Sequence, residues 1–519
     1  EGDTELTRET FSYQVRGMSD PHATSPLVVI DGSICYPGTE ESSLAYLTTS
    51  EIESVTVLKD AASQAVYGGQ GANGVIVITT KRGTAGDLRV NAYLDASISQ
   101  MSVTPKFVSS YQYAKLRNEA AYNDGLGRNY YFSPEQIEGY RTGSDPYLYP
   151  NNNWRSQLMR KWVFMQRAAF DVSGGSDWVK YYVNANFLHD GGTFHAEDNT
   201  ARYKSGDYDN SFSTNTNYIW VNFRSNVEAK ICSWLSSRLN ISGNVKREHT
   251  PGGGNTLQGI YPLMFITPPT TYGPVTPTFY NEDGTVNEDM GYPGDQVIVT
   301  EKWNNNAFAM VNRSGFQDRN ETNINAACTL DVNLDGLTKG LHLSGVFGYH
   351  TYAYKMNGMN VSYRRYILDE SSSDFTFKRN GATEDSPLTA TGDRSSYFNL
   401  NYRAYLDYNR TFNGVHNVQA QGFAYLLQYE NDNLPYNFVN SGVDVSYNFD
   451  HRYSIRGVLS YSGCDLYARQ SRWQTLPAIS LAWNITNEPY IKNLDCMKWL
   501  TNARLRYTTG KTGNSRNNV

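Results

Sequence analysis

From Asp87 onward, apolar and polar residues alternate one for one in a series of long segments. In Leu88–Ser99, Leu88, Val90, Ala92, Leu94, Ala96 and Ile98 share one face, and Arg89, Asn91, Tyr93, Asp95, Ser97 and Ser99 share the other. In Tyr218–Ile231, Ile219, Val221, Phe223 and Val227 oppose Trp220, Asn222, Arg224 and Asn226. Leu235–Lys246 and Phe398–Asn409 repeat the pattern, the latter with Phe398, Leu400 and Tyr402 against Asn399, Asn401 and Arg403. A period of two places each set on one side of a β-strand. Strands of soluble proteins run about 5–6 residues. A tilted strand that crosses a membrane needs about 9–11, and these segments reach or pass that length.

The connections alternate in length. Gly174–Asp177, Cys232–Trp234, Asp335–Gly340, Phe412–His416 and the turn through His451 are short. Between them lie long polar stretches: after Leu188 to Asn217, after Lys246 to about Gln317, after Tyr352 to about Arg394, from Tyr429 to Val443 and from Leu459 to Trp473. Transmembrane β-barrels have this anatomy, with short turns at the periplasmic end and long loops outside. About thirteen strands fit between Leu88 and Thr509. Such barrels close with an even number, so part of a larger barrel is expected. The competing architecture, a secreted multi-domain β-sandwich protein, calls for shorter strands and loops that do not sort by length.

Residues 1–86 differ. Short apolar strands at Leu27–Ile30, Ser54–Leu58 and Val75–Thr80 are separated by glycines and one helical turn, Asp60–Tyr67. This predicts a small α+β unit at 1–86, followed by a barrel over 87–519.

Composition agrees. Tyr numbers 40 and Gly 43, charged residues are 18% and apolar ones 39%, which is too apolar for a disordered chain. No run approaches the ~20 apolar residues of a spanning helix. A net charge of −6 gives no sign of a nucleic-acid partner. No signal-peptide pattern is visible. Cys35, Cys232, Cys328, Cys464 and Cys496 are far apart and form no C-x-x-C pair, so neither a zinc site nor a disulfide framework is indicated.

Several motifs resemble chemistry. Gly69-Gln70-Gly71-Ala72-Asn73-Gly74 fits the G-x-G-x-x-G dinucleotide fingerprint. That fingerprint must open a helix, because the pyrophosphate sits on the helix N-terminus. Here Val75-Ile76-Val77-Ile78 follows and reads as a strand. The glycines are expected instead to permit positive φ or close backbone approach. Gly510-Lys511-Thr512 resembles the end of a P-loop, but Leu505 stands where the first glycine belongs. His189, Asp190, His195, Glu197 and Asp198 could ligate a metal, but are read as a solvated loop. Asn281-Glu282-Asp283-Gly284 is read as a turn, since EF-hand spacing is missing. Arg224, Arg238, Lys246, Arg403, Arg456, Arg504 and Arg506 fall on polar strand faces and are expected inside the barrel, solvating the lumen or pairing with a plug. Tyr147, Tyr149, Asn152 and Trp154 put aromatics beside amides, which suits sugars or peptides and equally suits a loop that packs on itself. No catalytic constellation is found, and no enzyme activity is expected.

A family likeness rests on spaced blocks. They are Pro26 to Gly32 with Asp31-Gly32, Ile52 to Ala61 with Lys59-Asp60, Ala65-Val66-Tyr67-Gly68, and Gly71-Ala72-Asn73-Gly74 leading to Lys81. Together they resemble the plug-domain signature of SusC-like TonB-dependent outer-membrane transporters of the Bacteroidetes. Pro477 to Asn484 and Thr509 to Asn514 resemble barrel segments of the same family. The resemblance implies a membrane all-β fold: a large antiparallel transmembrane β-barrel of about 22 strands with a small α+β plug domain inside. Plug residues Asp31, Gly32, Lys59, Asp60, Tyr67, Gly68, Gly71, Asn73 and Gly74 would shape or gate it. It further implies a SusD-like surface lipoprotein as partner, energy from the TonB complex, and uptake of an oligosaccharide or peptide at the bacterial outer membrane. A siderophore or vitamin receptor and a secreted glycan-binding β-protein are the alternatives. No cofactor is implied, and bound calcium is not predicted. Neither a TonB box nor the last barrel strands are seen in this sequence, so both units are expected to be incomplete, the plug at its N-terminal side and the barrel at its C-terminal side.

Overall fold

The structure is a computed structural model. It describes residues 26–35, 47–100, 106–196, 203–205, 208–210, 212–253, 257–285, 292, 294–300, 304–369, 376–431, 435–492 and 499–513.

The first unit is a four-stranded sheet with one helix. Strand β1 (Leu27–Ile30) pairs antiparallel with β2 (Ser33–Ile34) and parallel with β4 (Val75–Thr80), which in turn pairs antiparallel with β3 (Ile52–Leu58). Helix α1 (Ala61–Ala65) lies between β3 and β4. Ile30 faces Ser33 across a two-residue turn in which Asp31 (φ 49°) and Gly32 (φ 84°) are both left-handed. That backbone is the type I′ hairpin turn that Asp-Gly favours.

The second unit is one antiparallel sheet of 13 strands in strict sequence order. Its strands are β5 (Gly86–Ser99), β6 (Val163–Gly175), β7 (Val179–Asp190), β8 (Asn217–Lys230), β9 (Leu235–Pro251), β10 (Gly315–Asn333), β11 (Leu341–Asn360), β12 (Thr389–Phe412), β13 (His416–Asn431), β14 (Tyr436–Phe449), β15 (Tyr453–Cys464), β16 (Trp473–Asn484) and β17 (Arg504–Gly510). Strands β5 and β17 are its two edges and do not pair with each other. The sheet curves around the first unit, which contacts β7, β8 and β11 to β17 through side chains described below.

Burial is inverted relative to a soluble sheet. On β8, Val221 and Phe223 are 44% and 46% exposed, while Asn222 and Arg224 are 3% and 5% exposed. The apolar face therefore looks outward and the polar face inward, as lipid outside and protein or water inside require. Leu94, Leu239, Leu406 and Leu459 continue the exposed apolar face on other strands.

Several strands are longer than the alternation predicts. β9 continues past Lys246 to Pro251 and β11 past Tyr352 to Asn360. β12 starts at Thr389, β14 starts at Tyr436 and β15 runs on to Cys464. Beyond the membrane both faces of a strand meet water or loops, so the two-face contrast that marks it disappears. The long connections also hold helices that alternation does not reveal: α2 (Ser110–Asn123), α3 (Pro134–Thr142), α4 (Trp154–Leu158), α5 (Leu257–Ile266) and α6 (Ala307–Asn312). Their start signals are in the sequence. Ser109 with Gln112 and Ser133 with Gln136 each form a full capping box, and Pro134 opens α3. One connection at the short-turn end breaks the length rule. Residues 485–503, between β16 and β17, include a short helix, α7 (Pro489–Lys492).

Candidate functional site

The seam between the first unit and the barrel wall is the candidate site. Asp31 anchors it. Its carboxylate accepts from the Thr80 N–H (2.9 Å) and the Thr80 hydroxyl (2.6 Å), tying the β1–β2 turn to the end of β4. Arg224 reaches inward from β8 to Asp31 Oδ2 (3.5 Å) and Glu51 Oε2 (3.3 Å). Glu51 also accepts from the Asn186 amide on β7 (3.2 Å). On β8, Asn226 donates to the Thr80 hydroxyl (2.8 Å) and the Lys81 carbonyl (2.7 Å). Burial pushes the Glu51 carboxyl above its ordinary range, and Arg224 pulls in the opposite direction.

On the far side, Asp60 caps α1. Its carboxylate accepts from the Ser63 N–H and hydroxyl, both at 3.0 Å, and lies 3.3 Å from Arg506 of β17. Burial opposes ionisation there, but the Ser63 hydrogen bonds and the nearby Arg506 and Arg456 prevail and hold the carboxyl below its ordinary value. Arg456 of β15 donates to the Ser63 hydroxyl (3.2 Å) and pairs with Asp444. The Tyr425 hydroxyl donates to the Tyr67 carbonyl (2.6 Å), and the Asn440 amide donates to the Val66 carbonyl (3.0 Å). Burial raises the Tyr67 hydroxyl above its ordinary value.

The glycine-rich stretch is a run of tight turns. Gly71 N–H donates to the Gly68 carbonyl (3.2 Å), Gly74 N–H to the Gly71 carbonyl (3.1 Å), and Leu27 N–H to the Gly74 carbonyl (2.9 Å). The run thus starts the parallel β1–β4 pairing. Gly68 (φ 59°) and Gly74 (φ 102°) are left-handed. Gly71 is not, but a Cβ there would lie 2.7 Å from the Gln64 carbonyl oxygen. A strand follows, so no helix N-terminus faces these glycines. Asn73 sits in the final turn, and Lys59 is exposed at the end of β3.

Of the charges expected inside, Arg224, Arg456 and Arg506 meet the first unit. Arg238 pairs with Asp331 and Lys246 with Glu321 within the wall. Arg403 is buried against Asn401 and Tyr405. Glu51, Asn186, Asn226, Tyr425 and Asn440 were not singled out from the sequence. The inward register of Asn226 is legible there, whereas Asn440 falls in a stretch read as a loop, and which wall residues touch the first unit is not legible.

The loop aromatics and amides are largely internal. Trp154 is 2% exposed, donates to the Pro268 carbonyl (3.1 Å) and packs with Leu158, Ile260, Met264 and Val311. Asn152 donates to the Thr271 carbonyl (2.8 Å) and accepts from Gln157 (3.0 Å). Tyr149 meets Tyr140 edge-on. Tyr147 stacks on Tyr272 yet stays 50% exposed. Burial, with Tyr147 beside it, pushes the Tyr272 hydroxyl far above its ordinary value. Tyr147, Asn152 and Trp154 join two long loops into one body, Tyr149 packs within the first of them, and Tyr147 keeps the most open face.

No group of three or more metal-ligating side chains occurs among the described residues. Glu197 and Asp198 lie outside them, His195 Nδ1 faces the Ala196 carbonyl, and Asp190 accepts from the Gly192 N–H. Asp283 accepts from Thr285 in a turn with Gly284 at φ 80°.

Residues 4–75 match the family model of the TonB-dependent Receptor Plug Domain. Over 96% of its length the chain is 25% identical to TonB-dependent receptor P26 of Formosa agariphila, and it is 23% identical to TonB-dependent receptor SusC of Bacteroides thetaiotaomicron. The chain is similar to the SusC-like TonB-dependent receptors. The first unit is its plug, the 13-stranded sheet is wall of its β-barrel, and its place is the outer membrane. Its fold is shared with the RagAB peptide importer in the "closed-closed" state, with a TM-score of 0.67 and 17% identity over 98% of this chain and 55% of that one. The chain spans about half the length of the curated relatives it matches, 46% of P26 and 47% of SusC.

Proposed function

We propose that the intact protein actively imports nutrient oligomers, glycans foremost, across the outer membrane. A SusD-like lipoprotein would lid the outer mouth and the TonB complex would supply the energy. No covalent bond would be made or broken, and no cofactor would be needed. The observation that carries this reading is the plug, fastened to the inner wall by Arg224, Asn226, Tyr425, Asn440, Arg456 and Arg506. Contacts of this kind are individually modest, each hydrogen bond contributing about 0.5–1.5 kcal/mol net. A mechanical pull could therefore release them without unfolding the barrel.

Peptide import by the same architecture is the second reading. The likeness to the RagAB peptide importer favours it.

The test uses cells carrying the full-length protein and two labelled pools, neutral oligosaccharides and mixed peptides. Uptake of one pool should require TonB, and co-purification should recover a lipoprotein lid. Deletion of residues 1–83 should abolish the TonB dependence. Uptake that stays TonB-dependent without the plug would sink the proposal, and the accumulated pool names the substrate class.

A further inference from the structure

The plug is held differently on its two sides. Toward β13–β16 the contact combines buried apolar clusters with polar bonds. Leu27, Val29, Ile34 and Val75 of the plug share one buried cluster with Leu427, Tyr429 and Phe438 of the wall. Ala62 and Ala65 share a second with Val458 and Ala478. Polar bonds from Tyr425 and Asn440 run between the two clusters, Arg456 donates to Ser63, and Arg506 of β17 lies against Asp60. Toward β7–β12 no cluster of fully buried apolar residues spans plug and wall among the described residues, although Tyr397 of β12, partly buried, packs against the first of the two clusters. The third plug cluster, Val28, Cys35 and Ile78, draws on the plug alone. The wall here offers Asn186, Arg224 and Asn226 to Glu51, Asp31 and Thr80. At Gly348 of β11, which has no side chain, a Cβ would come within 3.2 Å of the Ser33 hydroxyl. Beside it on β12, Asn399 Oδ1 and Asn401 Nδ2 are fully buried without a hydrogen-bond partner among the described residues, as is Asn226 Oδ1 nearby. Asn440 Oδ1 and the Ser460 and Ser462 hydroxyls on the other side are buried in the same way; what distinguishes the two sides is the pair of apolar clusters.

The two sides respond differently to separation. Water entering a polar seam replaces each hydrogen bond it breaks and resolvates Arg224 and Glu51, whose burial was itself unfavourable. Water entering the β13–β16 side replaces its few polar bonds but also exposes the hydrocarbon of two clusters, which nothing offsets. The polar side therefore parts first.

We propose that, when the plug moves, the passage opens one-sidedly, between the plug and the β7–β12 wall. The plug stays docked on β13–β16 throughout. The passage is then lined by Asn186, Asn226, Asn399, Asn401 and Arg224. These are carboxamides and one cation, which suit an uncharged or weakly anionic chain rich in hydroxyls or amides. This rests on the import reading above.

Two sets of disulfide tethers test it in the full-length protein, in a background without the native cysteines. Asn226→Cys with Thr80→Cys, or Gly348→Cys with Ser33→Cys, closes the polar side. Ala62→Cys with Val458→Cys closes the apolar side. Uptake of the labelled oligosaccharide and peptide pools is measured before and after reduction. The polar-side tethers should reduce uptake at least tenfold, restored by reductant, and the apolar-side tether should change it less than twofold. Block by the apolar tether, or uptake through both polar tethers, overturns one-sided opening. Recovery on reduction shows that each variant is folded. If the reduced, untethered protein imports neither pool, the import reading fails, and failure of this inference is seen separately.

Discussion

Arg224 of the barrel wall bridges two carboxylates that lie 20 positions apart in the plug, Asp31 at 3.5 Å and Glu51 at 3.3 Å. All three side chains are nearly closed to solvent. A buried pair of this kind adds little net stability, but removing one partner leaves an uncompensated charge. Arg224→Ala should therefore destabilise the seated plug by about 3–5 kcal/mol. Arg224→Met combined with Glu51→Gln should recover much of that loss. A double-mutant cycle on thermal or denaturant unfolding measures the coupling. Additive effects would show that the pair does not act as a unit.

The same carboxylate sets a pH dependence. The Glu51 carboxyl is raised above 4.5 in the folded protein. Its contribution to stability is full below 4.5 and is lost as pH rises through the folded value. Glu51→Gln should therefore raise the melting temperature at pH 8 relative to the native protein, with little change at pH 4. Asp60 behaves oppositely. Its carboxyl is held below 3.8, so its contribution is present above 3.8 and lost as pH falls through the folded value. Asp60→Asn should lower stability at neutral pH and converge with the native protein in strong acid.

Gly68 is a backbone requirement. At φ 59° a Cβ would be 2.8 Å from Asn440 Oδ1, and Asn440 holds the Val66 carbonyl. Gly68→Ala should destabilise by about 1–3 kcal/mol and speed proteolysis of the plug. Gly143→Ala, which is also left-handed but has nothing within 4 Å of the added Cβ, should leave plug proteolysis unchanged.

Trp154 and Tyr147 should separate on substitution. Trp154→Ala removes a buried side chain and should destabilise the loop body by about 3–5 kcal/mol. Limited proteolysis of residues 106–162 reads this out. Tyr147→Ala should leave that digestion pattern nearly unchanged. A fall in uptake from Tyr147→Ala alone would assign its exposed face to the ligand.

Leu459 and Ser460 are neighbours on opposite faces of β15, one exposed and one buried. Leu459→Arg should cost about 2–4 kcal/mol of folding into bilayers if it lies near the midplane. In detergent-free refolding the folded fraction should drop accordingly. No drop would place Leu459 away from lipid.

The sequence by itself determined where most barrel strands lie and, where they alternate, which residues share a face. A period of two is a local property, and lipid outside with protein or water inside makes it strong at Val221, Asn222, Phe223 and Arg224. Asp31-Gly32 is likewise a dipeptide that favours the type I′ two-residue turn found there, because both residues tolerate positive φ. The glycines from Gly68 to Gly74 were legible as turn formers because a β-branched strand, and no helix, follows them. Helices α2 and α3 in the first long connection were marked by Ser109 and Ser133, but α4 and α5 are held by the loop body they pack into.

Tertiary structure alone decided the partners. Nothing local to Glu51 distinguishes it from Glu53, yet one is buried against Arg224 and the other is exposed. Trp154 became core because Ile260 and Met264 arrive from a segment more than a hundred residues away. The polar and apolar sides of the plug were likewise invisible beforehand. Each depends on which strands curve round to meet it, and a strand's own alternation fixes which residues point inward without fixing what they will find there.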